Sequence, residues 1–111
     1  MIEITHSEVA PGAVVVTLVG KMMLGPQGDQ MVALVEQLLS QGTRLFIFDL
    51  SGVGAIDSTG IGRFISSFNK ILAVGGEMRM AGATGHVFQS FRVSLLDKVF
   101  RFYPTVAAAQ A

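Results

Sequence analysis

The stretch Ile56-Asp57-Ser58-Thr59-Gly60-Ile61-Gly62 sets a carboxylate and two hydroxyls at the start of a predicted helix, directly after a strongly apolar strand. Two uses compete for Ser58 at that junction. As a helix cap, its oxygen would accept a free backbone N–H. As a phosphate acceptor, it would hold an anion against the same free N–H groups and the positive end of the helix dipole. Residue types and spacing leave both open.

Other chemistries fit less well. A nucleophile elbow needs Gly-x-Ser-x-Gly; Gly60 matches its second glycine, but Ile56 stands at the first. A serine nucleophile also needs a base, and nothing in the sequence sets His6 or His86 beside Ser58. The short pieces Gly52-Val53-Gly54, Gly60-Ile61-Gly62 and Gly82-Ala83-Thr84-Gly85 complete no Gly-x-Gly-x-x-Gly, and no Gly-Lys-Ser/Thr follows them. They read as turns and close strand–helix packing. Asp49, near the end of a central strand, has the position of a phosphoaccepting aspartate. The first two strands, however, supply no acidic pair to hold a metal with it. Cysteine is absent, which excludes disulfides, zinc–thiolate sites and cysteine nucleophiles. No catalytic residue, metal or cofactor is expected.

The elements that must position Ser58 follow from periodicity. Leu45–Leu50 is apolar almost throughout, as in a central strand covered on both faces. Ser51–Asp57 reads as a glycine-containing loop. Apolar residues at Ile61, Phe64, Ile65, Phe68, Ile71 and Leu72 mark one helix face, so a helix is predicted from Ser58 or Thr59 to about Val74. Upstream, Ile2 and Ile4 alternate with polar residues in a short first strand. Pro11-Gly12 is a turn, Ala13–Val19 a second strand, and Gly20 to Gly28 a loop. Asp29 is placed to cap a helix reaching about Gln41. Downstream, Glu77–Ala81 is a fourth strand, and Val87, Phe88 and Phe91 share a face of a third helix. Val99–Phe102 is an edge strand, and Pro104 opens a last helix. Strands linked through helices should be parallel. The expected fold is α/β, a single mixed, mostly parallel sheet of four to five strands with helices packed on it, as one domain over residues 1–111.

Bulk composition narrows the function. Half of the 111 residues are hydrophobic and 14% are charged, well below the roughly 25% of an average globular chain. A compact core accounts for most of that, and some apolar surface is left for a partner. Eight basic and eight acidic residues balance. Without a Lys/Arg cluster there is no electrostatic footprint for nucleic acid or anionic lipid. No apolar run approaches the roughly 20 residues of a membrane span, so no direct membrane insertion is expected. The first residues carry no basic region typical of a signal peptide. The expected location is cytoplasmic.

The strand Leu45–Leu50, the loop Ser51–Ile56 and Asp57-Ser58-Thr59-Gly60-Ile61-Gly62 together resemble the signature of STAS domains, and most closely bacterial anti-sigma factor antagonists. Gly75-Gly76-Glu77-Met78, Val87-Phe88-Gln89-Ser90-Phe91 and Leu95-Leu96-Asp97-Lys98-Val99-Phe100 resemble later segments of the same family. This resemblance implies a partner-switching protein in which Ser58, with Thr59 as the lesser candidate, is phosphorylated by a serine kinase that is also an anti-sigma factor. The unmodified antagonist would hold the kinase and free the sigma factor, and a serine phosphatase would reset the modified form. Asp57 would orient the loop or cap the helix, and Gly60 and Gly62 would let a partner approach the backbone. The implied contact surface is Ile56, Asp57, Ser58, Thr59, Gly60, Ile61 and Gly62, with Met22 and Met23 either joining it or packing under the first helix. One departure stands out: many family members carry Gly-Glu-apolar-Asp where this chain has Gly20-Lys21-Met22-Met23. The alternative is a STAS accessory or scaffold subunit of a transport ATPase or a stressosome-like assembly, with no phosphoswitch.

Overall fold

The structure, a computed structural model, describes residues 2–23 and 25–111, without the side chains of residues 26–28. The chain runs β1 (Ile2–Ala10), β2 (Ala13–Met22), α1 (Pro26–Ser40), β3 (Leu45–Ile56), α2 (Ser58–Ala73), β4 (Glu77–Ala81), α3 (Gly85–Val93), a short 3-10 turn (Leu96–Lys98), β5 (Arg101–Tyr103) and α4 (Val106–Gln110). Among the described residues five strands lie side by side in chain order. β1 and β2 form an antiparallel hairpin around Gly12, and β2, β3, β4 and β5 pair in parallel. This is the mixed, mostly parallel sheet that the strand–helix alternation predicts.

Both central strands run longer than their apolar cores. β2 continues through Gly20 to Met22, and β3 continues through the predicted loop 51–57 as far as Ile56. The two extensions pair with one another, Val19 with Gly52 and Met22 with Ile56, across two register irregularities. Gly52 permits this approach: a Cβ there would lie 2.9 Å from Val19 Cγ2 and 3.1 Å from the Leu18 carbonyl oxygen. A glycine-rich stretch that reads as a loop is held as strand by its neighbour.

Smaller differences have local causes. β1 extends to Ala10 because its polar second half still finds backbone partners on β2. α1 begins at Pro26, with Gly25 at the cap position, not at Asp29; proline suits the first helical turn because it lacks the N–H that would go unpaired there. Of the predicted loop 20–28, Leu24 lies outside the described residues. The edge strand falls at Arg101–Tyr103 instead of Val99–Phe102. α4 starts past Pro104, and Thr105 Oγ1 caps it by accepting the Ala108 N–H at 3.1 Å.

Helices α1, α2 and α3 bury their apolar faces on one side of the sheet. Met31, Val35 and Leu38 of α1 and Ile61, Phe64 and Ile71 of α2 join Val87 and Phe91 of α3 over Val16, Phe46, Phe48 and Met80. Edge-to-face rings tie these layers together: Phe48 to Phe64 at 5.5 Å, Phe64 to Phe91 at 5.6 Å and Phe91 to Phe102 at 5.3 Å between centroids. The other side carries α4, whose Ala109 packs on Val15, Ile47 and Ala81. Arg79 on β4 clamps it. Its guanidinium donates to the Ala109 carbonyl and to Glu77, and lies 5.9 Å from the Tyr103 ring centre. The hydrogen bond from Arg79, reinforced by the charges of Arg79 and Arg101, holds the Glu77 carboxyl below the ordinary carboxylate range.

Candidate functional site

At the carboxyl end of β3 the backbone turns into α2 through Asp57. This residue, not Ser58, is the helix cap. Its backbone is extended, and its Oδ1 accepts the Gly60 N–H at 2.8 Å while its carbonyl accepts the Ile61 N–H at 2.9 Å. Asp57 also donates its own N–H to the Met22 carbonyl at 3.2 Å, fastening the helix start to the end of β2. A carboxylate at that position meets the helix dipole with favourable sign. Ser58 is therefore the first helical residue, and its hydroxyl is not the cap acceptor. Its side chain is exposed, and Thr59 is half-buried.

The two glycines of the motif differ. Gly60 is buried, and a Cβ there would fall 2.2 Å from the Met22 carbonyl oxygen and 2.8 Å from Met22 Cγ and Ile56 Cγ1. Its missing side chain serves the approach of α2 to β2, not that of a visiting protein, which corrects the role the resemblance implies. Gly62 faces open space. The methionine pair separates as well. Met22 is 1% exposed and belongs to the core, while Met23 is 43% exposed; alternating side-chain directions along the strand end put the two on opposite sides. Met22 is thus removed from the candidate contact surface. Ile61 is nearly buried, Ile56 is half-buried, and Lys21 is exposed.

Ser58 opens onto a groove of about 360 Å³ between the start of α2 and α3. Ile56, Asp57, Ser58 and Ile61 line one side, and His86, Gln89, Ser90, Val93 and Ser94 the other. His86, Gln89, Ser90 and Val93 share a face of α3 because they recur at three- and four-residue steps. That spacing was the available signal in the sequence, but it does not say what the face meets. Two of these hydroxyls turn back to their own helix: Ser90 Oγ donates to the His86 carbonyl at 3.0 Å and Ser94 Oγ to the Ser90 carbonyl at 2.9 Å. No hydrogen bond joins Ser58 to His86 among the described residues. Asp49 lies apart from this groove and accepts from Ser51 N–H at 3.0 Å and Ser51 Oγ at 2.7 Å. Among the described residues no cluster of three or more His, Asp or Glu side chains could hold a metal ion, and no helix is long and apolar enough to cross a membrane.

Large apolar side chains stay exposed along the α3 side of α2 and beyond it: Ile65 and Leu72 on the helix, then Val93, Leu95 and Val99. Leu95 adopts a left-handed backbone, φ 62°, which is uncommon for a leucine. Ile61 and Val93 line the groove itself, while Leu72 and Val99 line a separate depression with Phe68, Met78 and Arg101 at the far end of α2.

The fold and this helix-start site define a STAS domain, and the family comparison agrees: the STAS domain model matches residues 5–109, so the chain belongs to that family. The architecture is similar to that of an anti-sigma factor antagonist from Mycobacterium paratuberculosis. The TM-score is 0.85 over 99% of this chain and 92% of the other, at 19% identity. The Bacillus cell fate determinant SpoIIAA, in its phosphorylated form, aligns with a TM-score of 0.77 over 97% of each chain at 19% identity. A sulfate transporter family protein from Wolinella succinogenes aligns with a TM-score of 0.75 over 93% of this chain and 85% of the other, at 14% identity. At such identities the likeness is one of fold. A comparison with curated protein sequences finds no match.

Proposed function

We propose that this chain is an anti-sigma factor antagonist, a cytoplasmic binding module and not an enzyme, switched by phosphorylation of Ser58. The observation that carries the reading is the division of roles at the start of α2: Asp57 caps the helix, and the exposed Ser58 hydroxyl is left for other chemistry. A serine-kinase anti-sigma factor supplies ATP, magnesium and base. Ser58 Oγ attacks the γ-phosphorus, the bond to the ADP oxygen breaks, and the hydroxyl proton passes to the kinase's base. The product carries about −1.5 to −2 charges. At a helix N-terminus the fold tolerates that charge, whereas at a protein interface it must be desolvated or face like charge. The unmodified form holds the kinase and frees a sigma factor. The modified form lets go, and a serine phosphatase restores it. Thr59 is the lesser acceptor because it is half-buried. Ile56, Asp57, Gly62 and the exposed Met23 border the docking surface, and Lys21 gives it a charge opposite to the family's usual acid.

A second reading has its own support in the likeness to a sulfate transporter family protein. There the same surface would dock permanently in a transport or scaffold assembly, with Ser58 unmodified. Incubation with ATP and a serine-kinase anti-sigma factor from the same organism separates the two. The expected intact-mass gain is one phosphoryl group, lost in Ser58→Ala, with Ser58→Ala retaining the partner and Ser58→Asp binding it at least tenfold more weakly. No phosphate on Ser58, or equal affinity of the two variants, overturns the switch.

A further inference from the structure

The two walls of the groove beside Ser58 differ in chemistry. On the α2 side stand Asp57, the only carboxylate among the described residues of the lining, and Ser58, whose amide at the first helical position has no acceptor within the helix. The α3 side carries no acid at all. Ser90 and Ser94 have committed their hydroxyl protons to helix carbonyls. His86 and Gln89 have not: neither side chain has a hydrogen-bond partner among the described residues, and both line the groove. One wall thus ends in a hydroxyl that can be phosphorylated, and the other presents two uncommitted N–H donors.

We propose that this groove is the seat of Ser58's own phosphoryl group, held across it by the His86 imidazole and the Gln89 carboxamide. The inference rests on Ser58 as the acceptor and adds how the modified state is read. A phosphoserine offers three strong acceptor oxygens. The helix start serves them from one side, and His86 and Gln89 serve them from the other. Asp57 and His86 are the titratable groups lining the groove. Asp57 repels the added dianion, and a protonated His86 offsets that repulsion. The phosphorylated domain then fills, with its own side chain, the space a partner's chain would enter. Release follows from occupancy as well as from charge.

The test uses full-length protein with phosphoserine encoded at position 58, so it does not depend on any kinase. The second ionisation of the phosphate is followed by phosphorus NMR in the parent, His86→Ala, His86→Gln and Gln89→Ala proteins, with thermal melts to verify folding. His86 is exposed, so its variants keep the fold. The expected midpoint in the parent lies about half a unit below that in His86→Ala, the direction an opposite charge nearby imposes. His86→Gln, which keeps a donor without the charge, falls with His86→Ala. The His86 ring signals also move when the phosphate is removed. Coincident midpoints in parent and His86→Ala, with unmoved ring signals, overturn the proposal. If the encoded phosphoserine shows the shift but the kinase leaves Ser58 unmodified, the groove stands and the switch falls. If the kinase modifies Ser58 and the midpoints coincide, the switch stands and the groove falls.

Discussion

On the α1 side of α2, Arg63 reaches Asp29 at 3.0 Å and Lys70 reaches Glu36 at 3.5 Å, with Ser67 fully buried on the same helix. On the other flank, Ile61 forms part of the groove wall that faces α3, while Ile65 and Leu72 stay exposed, Leu72 in a depression shared with Val99. A single amphipathic helix thus has one flank fixed to its neighbour by charge pairs and another left apolar and open. Surface ion pairs contribute little stability, so their use is to set the relative placement of α1 and α2. An open apolar flank contributes nothing until something covers it. The Ser58 hydroxyl lies at the head of that open flank, where a docking partner would meet it. The contrast says which side of α2 belongs to the fold and which is available for function.

The largest test of this contrast uses the two glycines. Gly60→Ala should destabilise the protein by about 2–3 kcal/mol in chemical denaturation, because its Cβ has nowhere to go between α2 and the end of β2. Gly62→Ala, two residues on and in open space, should stabilise by about 0.5–1 kcal/mol through helix propensity, while a bulky residue there should weaken partner binding. Equal destabilisation by both would erase the distinction. Next come the two candidate caps. Asp57→Ala should cost about 1 kcal/mol and Ser58→Ala a few tenths at most. A larger loss from Ser58→Ala would return the capping role to the serine and weaken its case as a switch. The smallest effect belongs to the fixed flank. A double-mutant cycle on Asp29 and Arg63 should give a coupling of about 0.2–1 kcal/mol that fades with added salt, with partner affinity unchanged.

Much of this architecture is legible in the amino-acid order. The alternation of strands and helices, the apolar face of α2 and the extent of β4 all follow from period-two and period-3.6 patterns, which report on a residue's immediate neighbours. Legibility fails where long-range pairing overrides local preference. Gly52-Val53-Gly54 reads as loop yet lies in β3, because the end of β2 supplies backbone partners to it. Met22 and Met23 look alike in sequence, and the side of the strand end each occupies decides that one is core and the other surface. Asp57 and Ser58 both have cap chemistry. Which one caps depends on where the helix breaks from the strand, and the Asp57 N–H bond to Met22 fixes that point.

The sequence by itself determined the mostly parallel α/β order and set a serine hydroxyl at the start of α2, because apolar periodicity and helix-start chemistry are local properties of a chain. Only the tertiary structure decided that Asp57 would take the cap, that Gly60 would seal α2 against β2 and that His86 would share a groove with Ser58. Those outcomes depend on which distant segments are packed together, and contact between residues far apart in the chain is settled by folding alone.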